Sequence, residues 1–174
     1  GTLNRARALL LNRRKEMLSR EGVAEFGARF KLFGQNVASA LALADTPEKC
    51  EEQLSKTMLA LEDLEGRFSE FDEFLAQLAT KREEVYEAFS SKRQALLDER
   101  HRRADHTMEA ALRILQGVAR RAATFATDDE LNAYFASDAM VMKLRELSER
   151  LREIGDAVRA DEVESKLKSA RSDA

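Results

Sequence analysis

The sequence predicts an all-α protein: an elongated antiparallel coiled coil, with one long central helix and N- and C-terminal helices folded back on its two halves. Three observations predict it. An apolar seam repeats at alternating steps of four and three from Cys50 to Phe125, which is the heptad period of a helix that buries one stripe. A single proline stands in 174 residues, at position 47. Charged residues make up 35% and aromatic residues 6%, the balance of long solvated helices rather than of a thick core.

The first helix is read over residues 3–44. Its seam is Val23, Phe26, Phe30, Phe33, Val37, Ala40 and Ala44, with Gly22, Gly27 and Gly34 inside it, which allow either a bend or a close approach of another helix. A turn follows at Asp45-Thr46-Pro47-Glu48. Thr46 suits the N-cap, Pro47 the first helical position and Glu48 the positive helix end. The central helix is read over 47–125, roughly 115 Å at a rise of ~1.5 Å per residue, with Gly66 and Gly117 as its weak points and a break near Gly66 or Leu96 left open. Its seam runs through Leu54, Leu61, Leu64, Phe68, Phe71, Leu75, Leu78, Val85 and Phe89 to Leu96. It moves over by one at Leu97 and continues through His101, Ala104, Met108, Ala111, Leu115, Val118 and Ala122. Phe74 lies off this stripe, and Arg82 and Lys92 interrupt it, as polar residues that fix register do. We expect these two to mark the junction between the partner helices.

Thr127 and Glu130 form a capping box for a short helix over 129–136. A last helix over 138–170 carries Met140, Leu144, Leu147, Leu151, Ile154 and Val158, with Gly155-Asp156 as its weak point. The whole chain is read as a single coiled-coil domain, 1–174, and as part of a longer protein, because both ends carry helical patterning.

Charge indicates which helices pair. Residues 1–44 hold eight Lys/Arg against three Asp/Glu, 45–90 five against thirteen, 91–121 eight against four, and 122–174 eight against twelve. Blocks joined by a short turn have opposite sign, so helix one is expected on the first half of the central helix and the last helix on its second half. The seam shift at Leu96-Leu97 is what a helix needs if it changes partner there. Both chain ends are then expected near residues 82–90.

Composition excludes several function classes. A net charge of −3 is not that of a strongly basic nucleic-acid binder. One cysteine, Cys50, excludes an internal disulfide framework and fits a reducing, cytoplasmic setting. No apolar run reaches the ~18 residues that suggest a membrane span. No nucleotide-binding, dinucleotide-binding or nucleophile-elbow motif is present. His101 and His106, five apart, do not share a helix face and read as packing or surface residues, with His101 half-buried on the seam. No catalytic, cofactor or metal residue is therefore assigned. The candidate contact residues are two basic clusters, Arg13, Arg14, Lys15 and Arg100, Arg102, Arg103. They face either an acidic partner helix or, weakly and with strong salt dependence, nucleic acid. A third reading is a homodimer through exposed stripes that include Phe71, Phe74 and Phe89.

Three stretches carry a family resemblance: Arg7-Ala8-Leu9-Leu10-Leu11-Asn12-Arg13-Arg14-Lys15-Glu16; Asp72-Glu73-Phe74-Leu75 with Lys81-Arg82-Glu83-Glu84-Val85-Tyr86-Glu87-Ala88-Phe89; and Leu131-Asn132-Ala133-Tyr134-Phe135-Ala136-Ser137-Asp138 leading to Gly155-Asp156-Ala157-Val158-Arg159-Ala160-Asp161-Glu162. The chain thereby resembles a coiled-coil region of large bacterial ATPases known as DNA-repair ATPases. The resemblance implies a non-catalytic arm of a longer chain that also holds an AAA-type module. ATP would be the cofactor of that parent, and the module or another protein the partner. The nucleotide-binding motifs are absent here, so no catalytic residue carries over.

Overall fold

Helices joined by short turns make up the chain, and no strand occurs among the described residues. The computed structural model describes the backbone of residues 2–174 and the side chains of residues 2–13 and 20–174. Helix α1 spans Thr2–Leu43, α2 Pro47–Arg67, α3 Asp72–Ala122, α4 Asp128–Ser137, α5 Ala139–Ile154 and α6 Ala157–Ser172. The fold is all-α. Its contacts divide it into two compact units, Gly1–Leu96 and Leu97–Ala174, with the boundary at the residues where the seam changes face.

In the first unit the α1–α2 turn forms from local chemistry. The Thr46 hydroxyl accepts from the Lys49 amide at 3.1 Å, and Pro47 starts α2 without an amide to satisfy. The predicted continuous helix over 47–125 is corrected: the chain turns at Phe68–Phe71. An unbroken helix would present one stripe to one partner. The turn instead gathers Phe26, Phe68 and Phe74 into one cluster. Phe74 stacks on Phe26 with ring centroids 4.2 Å apart, and Phe68 meets both edge-on. Acidic Asp72 and Glu73 open α3 at its positive end. Periodicity could not reveal the turn, because Phe68 and Phe71 stand in register with the heptads on either side.

The turn changes the topology. Glu65 lies 2.9 Å from Arg82, and Glu51 2.8 Å from Arg93, so α2 and the first part of α3 run in opposite directions. Glu25 lies 3.0 Å from Arg67, while the Cys50 thiol points to the Ala44 carbonyl, so α1 also opposes α2. Three helices thus share a core that includes Phe26, Phe33, Leu61, Leu64, Leu78, Val85 and Phe89. Phe30 and Phe71 pack against it half-buried, and Leu75 is half-buried. Phe74, expected on the surface, is 7% exposed. Val23, expected in the seam, is largely exposed. Lys92 does not mark a junction between partner helices. Its ammonium donates to the Leu41 carbonyl in the last turn of α1, where a cation complements the helix end.

Gly22 is where close approach is required. A Cβ there would lie 2.8 Å from the Phe71 ring. The ring of the α2–α3 turn therefore sits against the α1 backbone, and residues 2–21 continue past that turn instead of ending near residues 82–90.

In the second unit, Thr127 accepts from the Glu130 amide at 3.3 Å and Glu130 accepts from the Ala126 amide at 3.3 Å, fixing the start of α4. Asp138 caps α5 by accepting from the Met140 and Val141 amides. The predicted helix over 138–170 is corrected to two. Gly155 adopts φ 97°, its amide donates to the Arg152 carbonyl, and the Asp156 amide donates to Leu151. That left-handed stop reverses the chain. α6 then folds back on α5, with buried Ser148 donating to the Glu164 carboxylate at 2.9 Å beside the buried Ala160. Arg171 donates to the Asn132 side chain, so the end of α6 returns to α4. Met108, Leu115, Val118, Phe135, Leu144 and Leu151 are buried together, with Ile154 packed against them. Met140 and Val158, expected in the seam, are exposed.

The glycines separate into opposite predictions. At Gly155 the positive φ makes any side chain strained, so Gly155→Ala is expected to destabilise by about 1–2 kcal/mol. At Gly27 a Cβ meets nothing within 4 Å, so Gly27→Ala is expected to stabilise by about 0.5–1 kcal/mol. Urea denaturation of the two variants checks both signs.

Candidate interaction surfaces

The two basic clusters lie in different units. Arg13 is exposed on α1, while the Arg14 and Lys15 side chains lie outside the described residues. In the second cluster Arg102 is exposed and Arg100 is half-buried, its guanidinium near the Gly155 end of α5. Arg103 donates to Glu99 at 2.7 Å, one turn back on its own helix and not on a partner. That hydrogen bond holds the Glu99 carboxyl below its ordinary range. His101 is exposed and lies 3.5 Å from Asp105, not half-buried on the seam. Its neighbours Ala104 and Met108 take the interior positions.

Asp105 ties α3 to α6. Its carboxylate lies 2.6 Å from Arg159, which also lies 3.2 Å from Asp156 at the α6 N-cap. The hydrogen bond from Arg159 holds the Asp105 carboxyl below the ordinary carboxylate range, against the opposing effect of desolvation and with help from the Arg159 charge. A depressed carboxylate contributes stability that is present above its unfolded value, about pH 4, and is lost as pH falls through the folded value. Asp105→Asn is therefore expected to be less stable than the parent at neutral pH, with the difference shrinking below about pH 4. Denaturation midpoints of both proteins across that range test this.

A second surface was not foreseen from the sequence. Between α2 and α3, on the first unit, an open trough of about 1200 Å³ is floored by Leu54, Met58, Leu59 and Tyr86, with Glu62, Glu83 and Glu87 along it. Leu59 is 62% and Tyr86 60% exposed. Arg82 reaches from α3 to Glu65 and to the Met58 sulfur, 3.8 Å away. The residues are spaced at three and four on each helix. Sequence periodicity alone could not show that the two sets face one trough, because that follows only from the turn at Phe68–Phe71. The same turn removes the expected dimer stripe: Phe74 and Phe89 are buried within their own unit.

A third surface is the start of α1. Leu3, Leu9, Leu10 and Leu11 are 61–77% exposed, and the first buried side chain of this helix among the described residues is Phe26.

Among the described residues no group of three or more His, Cys, Asp or Glu side chains could hold a metal ion, and no helix is long and apolar enough to cross a membrane. Compared with protein-family models, curated proteins and solved structures, the chain matches none.

Proposed function

We propose that this chain is a non-catalytic helical scaffold, an arm of antiparallel helices that presents apolar helix surface to protein partners within a larger, ATP-hydrolysing protein. The observation that carries the scaffold reading is the start of α1, which holds four exposed leucines on a helix with no buried side chain before Phe26 among the described residues. Exposed apolar side chains gathered in this way mark a surface that another protein element covers. The link to an ATPase rests on the sequence resemblance alone. The cytoplasmic setting rests on the lone cysteine.

The reading predicts that the chain by itself hydrolyses no ATP and binds no DNA at near-physiological salt. The competing reading is a nucleic-acid module that uses the basic clusters. A salt series of DNA binding, run beside an Arg13, Arg14, Arg102 and Arg103 quadruple alanine variant, separates the two. Salt-resistant binding lost in that variant would replace the scaffold reading, and ATP turnover by the isolated chain would also overturn it.

A further inference from the structure

We infer that the α2–α3 trough is a docking site for the first three turns of α1 from a second copy of this chain. The inference rests on the scaffold reading and names the partner.

The trough has the form of a site for a helix. Its two walls are stripes on adjacent opposed helices, Leu54, Met58 and Leu59 from α2 and Tyr86 and Ser90 from α3. Its volume of about 1200 Å³ exceeds the ~300–1,000 Å³ of small-molecule sites, and it is an open channel, not a closed cleft. An amphipathic helix laid in such a groove anchors through residues three, four and seven apart. A fourth helix there would complete a four-helix arrangement over the three-helix core.

Charge selects the occupant. Glu62, Glu83 and Glu87 line the trough, and the one cation lining it among the described residues, Arg82, is already bonded to Glu65. The matching helix is therefore basic and leucine-rich. Residues 3–13 fit: they carry Leu3, Leu9, Leu10 and Leu11 with Arg5, Arg7 and Arg13, and no acidic residue. Leu3 and Leu10 stand seven apart, hence on one face of the helix, and Arg7 lies between them.

The segment cannot serve its own trough. α1 is continuous over Thr2–Leu43, and Gly22 already lies against Phe71 at the far end of α2. From there, residues 13 to 3 continue outward by about 1.5 Å each. To reach Leu54 or Ser90 they would have to break the helix and reverse. A second copy meets no such constraint.

The test is the mass of the whole chain by sedimentation across a concentration series. Self-association is expected. Glu83→Arg with Glu87→Arg should weaken it at least tenfold, and so should Leu3→Ser with Leu10→Ser. All four positions are exposed, so circular dichroism should show unchanged helix content. Adding Arg5→Glu and Arg7→Glu to the Glu83→Arg, Glu87→Arg chain should restore association, because both sides of the contact are then reversed. A monomer at every concentration overturns the inference and leaves the trough to another chain or another part of a longer protein. Association unaffected by either pair of substitutions also overturns it. Neither result bears on the scaffold reading, which the ATP and DNA measurements judge separately.

Discussion

Phe74→Ala is expected to destabilise the first unit by about 3–5 kcal/mol, the range for truncating a buried phenylalanine. The ring is 7% exposed, stacks on Phe26 at 4.2 Å and meets Phe68 edge-on at 5.8 Å. Its removal leaves a cavity that three helices line, and the Phe26 ring loses one face. The result discriminates between topologies. In an unbroken central helix Phe74 lies off the heptad stripe, and its truncation would cost less than about 0.5 kcal/mol, as surface substitutions do. Urea denaturation followed by circular dichroism reads the difference. A small effect would return the chain to a straight central helix and remove the trough with it.

Leu151→Ala is expected to cost about 2–5 kcal/mol in the second unit. The side chain is fully buried among α3, α5 and α6 residues, and its carbonyl accepts the Asp156 amide in the stop that reverses the chain. Val158→Ala is the control. Heptad spacing puts Val158 in the same seam, yet it is 80% exposed, so its truncation is expected to stay within about 0.5 kcal/mol. Equal effects at the two positions would mean that α5 and α6 form one helix with one continuous stripe.

The candidate surfaces were legible to different degrees. The basic residues were visible in the sequence, but their engagement was not. The pairing of Arg103 with Glu99 lies one helical turn away on the same face, and spacing alone cannot distinguish it from a free arginine. Arg100 comes near the Gly155 end of α5 only after α5 has packed. The leucines at the start of α1 are evident in the sequence as apolar residues. Their exposure follows from the turn at Phe68–Phe71, beyond which α1 has no α2 or α3 beside it. The trough is wholly tertiary, since Leu59 and Tyr86 are separated by that turn and each lies off the main seam.

The sequence by itself determined the helical class, the turn at Thr46-Pro47, the capping box at Thr127, and the change of face at Leu96-Leu97. Each of these is set within a few residues, by a hydroxyl or carboxylate reaching a nearby amide or by a shift in the apolar repeat. The tertiary structure decided that the long helices end near two of the weak points the sequence shows, Gly66 and Gly155. A heptad stripe has the same spacing whether it runs through one straight helix or two folded ones. The choice is made by what the fold buries: a cluster of phenylalanines at Phe68–Phe74, and the close seating of Ser148 beside Ala160 past Gly155. These contacts join residues distant along the chain or across a turn, and no local pattern encodes them.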